Sequence, residues 1–130
     1  MIEIATTRVR EVVDITPQVQ RAVRESGVVD GICLVYTLHT TTALIVNEAE
    51  SGLLMDIIDK IKEIVPGVGY KHGENGPAHL QASILGNSVL LPVDNNMPLL
   101  GTWQRVLFLE LDGPRRRRVG VKVIGSQGAP

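Results

Sequence analysis

An α+β domain, mostly antiparallel sheet with two helices packed on it, is predicted by three features of the sequence. Aromatic residues make up only 3 % of the 130 residues, so Val, Ile and Leu must fill the core. Stiff β-branched chains of that kind pack well on a pleated surface. Short apolar runs of strand length recur between turn residues. Two stretches, from Thr16 to Gly27 and from Ser51 to Pro66, carry helical periodicity and helix-boundary residues instead.

Each element has its own warrant. Residues 2–8, IEIATTR, alternate, and Val9 to Ile15 continue in an extended register. Thr16-Pro17 supplies a hydroxyl to cap a helix and a fixed φ for its first position. Val19, Ala22 and Val23 mark its buried face, and Gly27 can adopt the left-handed conformation that stops it. Residues 31–38 and Ala43 to Val46 read as strands. From Ser51, Leu54, Ile57, Ile58, Ile61 and Ile64 recur at helical spacing, with Asp59, Lys60, Lys62 and Glu63 on the wet side, until Pro66-Gly67. Residues 67–78 are a glycine-rich loop. LQASIL and VLLPV, around Gly86-Asn87-Ser88, are expected to form a hairpin. After a loop over 94–101, Trp103 to Leu111 is a strand, Asp112-Gly113-Pro114 turns the chain, and Arg117 to Ile124 returns antiparallel. The tail GSQGAP is expected to fray. Trp103 is expected to anchor the core or an interface.

Apolar residues are 44 % of the chain, enough for the packed core of one domain spanning 1–130. The net charge of −1 gives no global attraction for nucleic acid or anionic membranes. The four aromatics Tyr36, Tyr70, Trp103 and Phe108 do not interleave with the basic run Arg115-Arg116-Arg117-Arg118, so nucleic acid is not expected as a partner. The N-terminus has charges too early for a secretory signal, and no apolar run reaches membrane-spanning length. The single cysteine, Cys33, fits a reducing compartment. The expected setting is cytoplasmic.

The segment YTLHTTTALIVNE, residues 36–48, carries the functional question, because His39 and three threonines interrupt two core strands. Three histidines are present: His39, His72 and His79. Each sits among small polar residues, in TLHTTT, YKHGEN and GPAHLQ, where ligand geometry can be built. Imidazole suits zinc-like divalent ions, and three neutral rings leave a fourth position open for water or substrate. The alternative is that each ring makes one local hydrogen bond and nothing more. Asp56 lies beside an apolar helix stripe and needs either a partner or water. Thr40, Thr41 and Thr42 suit a half-buried sheet edge equally well as an anion site. In a strand, Arg115 to Arg118 alternate faces. One pair can then fork onto phosphate, while Arg116 and Arg118 suit a solvated edge.

SGVVDGICLVYTLHTTTALIVNEAE, YKHGENGPAHLQASILGNS and LGTWQRVLFLELDGPRRRRV together resemble the secondary thiamine-phosphate synthase, or YjbQ-like, family over nearly the whole chain. His-Thr-Thr, Asn-Glu, Tyr-x-His, Ala-His-Leu, Gly-Thr-Trp-Gln and Asp-Gly-Pro-Arg occur in the family's order. Two departures stand out. Thr42 replaces the usual alanine, and the loop between His72 and His79, which keeps Glu74-Asn75-Gly76, is shorter than is common.

The resemblance implies a homotrimer with polar motif residues near the subunit boundaries. Among those motif residues are His39, Thr40, Thr41, Asn47, Glu48, Asp56, His72, His79, Gln104, Asp112 and Arg115. It also implies the joining of a pyrimidine diphosphate to a thiazole phosphate, with pyrophosphate leaving. On that expectation His39, His72 and His79 hold a divalent metal, most simply zinc. Glu48, Asp56 and Asn47 act in catalysis, and Thr40, Thr41, Gln104 and Arg115 bind phosphate. A non-catalytic anion- or ligand-binding module and a trimeric structural protein are the alternatives.

Overall fold

The computed structural model describes residues 1–128. Eight strands and three helices follow one another as β1 (Ile2–Ala5), β2 (Glu11–Asp14), α1 (Thr16–Ser26), β3 (Asp30–Thr37), β4 (Thr42–Asn47), α2 (Ser51–Ile64), α3 (Gly76–Leu85), β5 (Ser88–Asp94), β6 (Met97–Pro98), β7 (Arg105–Glu110) and β8 (Arg116–Ser126). No helix is long and apolar enough to cross a membrane among the described residues.

The strands form two antiparallel sheets, one ordered β1-β8-β3-β5-β6 and the other β2-β7-β4. Alternation sorts their side chains. Cys33, Val35, Leu91, Val93 and Val119 face inward from the larger sheet onto Leu44, Val106 and Phe108 of the smaller, and Val19 and Val23 of α1 close this core. The opposite face of the smaller sheet, with Ala43, Leu107 and Leu109, is covered by Leu54, Ile57 and Ile58 of α2 and Leu85 of α3. The order of layers is sheet, sheet, helices. The larger sheet's outer face stays uncovered and exposes Ile32, Leu34, Leu90 and Ile124.

Close approach of β3 and β8 depends on glycine at one point. Gly31 pairs with Gly125, and a Cβ on Gly31 would lie 2.0 Å from the Ile124 carbonyl oxygen.

The helix count is three, not two. LQASIL is the second half of α3 and forms no hairpin with the following strand; β5 pairs with β3 and β6 instead. Ala, Leu and Gln favour helix, Pro77 occupies the first turn, and Ala78, Gln81, Ala82 and Leu85 recur at i, i+3, i+4, i+7, with the first three buried. The strand expected for LQASIL is thus a helix; an apolar segment of that length suits either period.

The second departure concerns the C-terminal strands. β7 and β8 are not a hairpin. β7 pairs with β2 and β4, while β8 pairs with β1 and β3, so residues 111–115 cross from one sheet to the other. β8 is paired as far as Ser126, and the last two residues of the tail lie outside the described ones.

Local details refine the caps. Thr16 lies inside α1, and its hydroxyl accepts from the Val106 amide at 2.8 Å, tying the helix to β7. The carboxylate of Asp14 receives the Thr16 amide at 3.0 Å. Gly27, at φ 74°, ends α1 as expected. At α2 the Glu50 carboxylate accepts from the Gly52 and Leu53 amides, which holds its pKa below the usual range. Trp103 is 72 % exposed in a turn and takes no part in the core.

Candidate functional site

Residues 38–41 carry the chain from β3 in the larger sheet to β4 in the smaller one. A link between two packed sheets leaves them at their shared end, where side chains can converge. The Thr37 and Thr42 hydroxyls meet at 2.7 Å and close the base of this link. Thr42 therefore has a partner of its own.

His39 is fixed by backbone. Its Nε2 accepts from the Arg118 amide of β8 at 2.8 Å, so the Nε2 lone pair is in use and a neutral ring carries its proton on Nδ1. Burial lowers the His39 pKa, the Arg117 and Arg118 charges lower it further, and Glu110 opposes them. The ring is neutral near pH 7, with Nδ1–H left to donate.

Beneath His39 lies a buried polar network that sequence reasoning missed. Arg117 is 4 % exposed and Glu110 fully buried. The Arg117 guanidinium forks onto the Glu110 carboxylate through Nε and Nη2 and also donates from Nη2 to the Thr41 hydroxyl at 2.9 Å. Glu110 further accepts from the Thr6 hydroxyl at 2.7 Å and the Asp112 amide at 3.2 Å. Burial alone would raise the Glu110 pKa, but Arg117, Thr6 and the Asp112 amide overcome it and hold the carboxyl low. With its charge spent on Glu110, Arg117 orients Thr41 and is not a free anion clamp. The alternation expected for the arginine run holds only over Arg116 to Arg118, where exposed residues flank the buried Arg117; Arg115 precedes β8 and is exposed, so it makes no inward pair with Arg117.

Arg115, exposed at the rim, donates to the Asp112 carboxylate at 3.2 Å, and Asn75 Nδ2 donates to the same oxygen at 3.2 Å. Above them stands His79 in the first turn of α3, its carbonyl accepting from Ser83 Oγ. Two adjoining cavities share His39, Thr40 and His79 as walls. One, of about 470 Å³, extends toward Ser83 and Asn87. The other, of about 310 Å³, extends toward Thr41, Asn75, Asp112 and Arg115. Together they make one polar cleft, with hydrogen-bond donors on several walls.

A three-imidazole metal site does not fit this arrangement within one chain. The His72 and His79 rings lie side by side with centroids 4.4 Å apart, and His39 shares the cleft with His79. Yet among the described residues no three His, Cys, Asp or Glu side chains lie where they could hold one ion. The His39 Nε2 is already an acceptor, and its Nδ1 carries the proton that a ligand would have to lose.

Four other expected site residues lie elsewhere. Along β4, Thr42 opposes Glu110 whereas Asn47 opposes Arg105; five strand steps of about 3.3–3.4 Å put these ends roughly 17 Å apart. Asn47 accepts from the Glu48 amide at 2.8 Å, and Gln104 closes its own turn on the Gly101 amide at 2.8 Å. Asp56 is exposed on α2, lining an apolar groove with Ile57, Ile61 and Ile84. None of the four reaches the His39 cleft of its own chain. Two signals could have exposed the missed pair: a glutamate ending the apolar strand VLFLE, and the inward register of Arg117.

Comparison with known proteins identifies relatives over nearly the whole chain. Residues 1–126 match the family model described as UPF0047 protein YjbQ-like. A UPF0047 protein from Archaeoglobus fulgidus is 53 % identical over 127 residues, covering 95 % of this chain and 98 % of that protein. The Bacillus subtilis protein YugU is 36 % identical over 128 residues, 95 % and 97 % of the two chains. The crystal structure of a YbjQ-like protein of unknown function from Sulfolobus solfataricus superposes with a TM-score of 0.93 at 42 % identity, over 96 % of this chain and 94 % of that one. One from Clostridium acetobutylicum gives 0.91 at 41 %, over 95 % and 98 %. The match spans nearly the whole length of these relatives, the solved ones share the fold, and the chain belongs to the YjbQ-like UPF0047 family.

Proposed function

We propose that the His39 cleft binds a phosphorylated small molecule and that the protein turns it over as a transferase. One observation carries this reading: His39 Nδ1–H, the Thr40 and Thr41 hydroxyls, His79 and Arg115 line a single cleft, with the network beneath fixing Thr41 and the Arg118 amide fixing His39. Preorganised donors of this kind stabilise charge developing on a departing group. Joining hydroxymethylpyrimidine diphosphate to thiazole phosphate is the concrete candidate, because the pyrimidine-side bond breaks as pyrophosphate leaves and little nucleophilic help is needed. In this proposal the histidines donate hydrogen bonds and no step runs through a metal.

The assembly proposed is a homotrimer. The uncovered apolar face of the larger sheet supports association, and a partner's Asn47, Glu48 and Gln104 would complete a cleft that their own chain keeps them from. Sedimentation at three times 14.1 kDa is expected. The lone, buried Cys33 supports a reducing, cytoplasmic setting.

Among the described residues the only carboxylate on the cleft walls, Asp112, is paired with Arg115, which favours a second reading, binding without turnover. Incubation with both substrates followed by mass spectrometry separates the two. Thiamine phosphate and pyrophosphate are expected, falling at least tenfold in Arg115→Ala. Phosphate-dependent thermal stabilisation without product selects the binding module, and neither response overturns both readings.

A further inference from the structure

On the far side of the Asn75–Asp112 contact lies a separate cavity of about 320 Å³, walled by Arg10, Lys62, Glu74, Asn75, Gln81 and Asp112 among others. Its most constrained wall is Arg10. The guanidinium donates from Nη2 to Gln81 Oε1 at 2.7 Å. Gln81, 1 % exposed, donates in turn to the Val65 carbonyl at 3.1 Å. A fully buried amide thus holds a cation at the cavity's edge.

That cation is poorly compensated. Among the described residues neither Arg10 nor Lys62 has a carboxylate within ion-pair distance, and Arg10 Nε is buried without an acceptor. Burial lowers the Arg10 pKa, and only the more distant charge of Asp112 opposes it. Asp112 is already bound by Arg115 and Asn75. Two positive groups therefore face one uncommitted negative group, Glu74. Arg10 is half-buried, and its Nε, cut off from water, ordinarily has a partner; an oxyanion supplies one that the guanidinium can hold through forked hydrogen bonds.

We propose that this cavity is a second oxyanion subsite, in which a phosphate or carboxylate group pairs with Arg10 and Lys62. The subsite stands on the Arg10 cavity alone. Its consequence for catalysis rests on the function proposed above: two anion sites that share Asn75 and Asp112 suit two charged reactants held side by side.

The test is a nuclear magnetic resonance titration of the full-length chain with inorganic phosphate and, separately, acetate. Amides of Gly67, Glu74 and Ala78 report on the Arg10 cavity, and those of Thr40, Ser83 and Asn87 on the His39 cleft. Saturable shifts are expected in the first group. Their apparent affinity should fall at least tenfold in Arg10→Gln and in Lys62→Gln, with cleft affinity kept within twofold. Lys62 is on the exposed face of α2, so its variant folds even if Arg10→Gln does not. A response to phosphate alone marks a phosphoryl subsite; a response to acetate as well marks a general oxyanion subsite. No saturable shift in the first group with either anion, or unchanged affinity in Lys62→Gln, overturns the proposal. Silence in the cleft group alone counts against the proposed function and leaves this subsite standing.

Discussion

His39 offers two nitrogens with different tasks, and a pair of substitutions separates them. An asparagine amide nitrogen stands where Nδ1 does, so His39→Asn keeps a donor toward the cleft and loses the acceptor for Arg118. A glutamine amide oxygen reaches the Nε2 position, so His39→Gln keeps that acceptor and loses the donor. The Arg118 amide is at an exposed site, where water replaces a lost acceptor at a cost below about 1 kcal/mol. Losing a hydrogen bond to a phosphate oxygen costs about 1.5–3 kcal/mol, or roughly 10- to 150-fold in Kd. Calorimetric titration with inorganic pyrophosphate should therefore show His39→Asn within about threefold of wild type and His39→Gln weakened by the larger factor. The imidazole nitrogen resonances of the wild type should report a proton on Nδ1 and none on Nε2. Equal binding by His39→Gln and wild type, or a proton on Nε2, refutes the assignment.

Three further outcomes follow from the packing. Glu110→Gln leaves the buried Arg117 without its counter-charge and should destabilise by about 3–5 kcal/mol in urea denaturation; because the folded Glu110 pKa is lowered, the wild-type contribution is complete above the ordinary carboxylate pKa and fades as pH falls below it. Gly31→Ala puts a methyl group against backbone that cannot yield and should cost about 2–3 kcal/mol. Gly120→Ala meets the Tyr36 ring, which can swing aside, and should cost about 1 kcal/mol by the same measurement.

The limits of sequence reading follow from where the information resides. α1 and α2 were legible because periodicity, proline and glycine agree over more than ten residues. α3 was not, because six mixed residues suit either period until their neighbours decide. The cleft was partly legible. His39, His79, Thr40, Thr41 and Arg115 come together as their motifs suggest, since all lie at the same end of the packed sheets. Asn47, Glu48 and Gln104 were drawn into the same site by motif order alone, and strand direction carries them to the opposite end of β4. The Glu110–Arg117 pair depends on β7 and β8 belonging to different sheets, which no local pattern announces. The hairpin reading puts both residues in one sheet, whereas they meet across the space between two layers.

The tie between His39 and β8 bears on how this protein can change. A ring oriented by another side chain can be released by one substitution; this one answers to a main-chain amide, which nineteen of the twenty amino acids supply at position 118. Only proline there, or a slip of the strand by a residue, would hand the proton to the other nitrogen. The tautomer at His39 is in that sense written into the architecture, while the charges of Arg117, Arg118 and Glu110 set only how readily the ring takes a second proton.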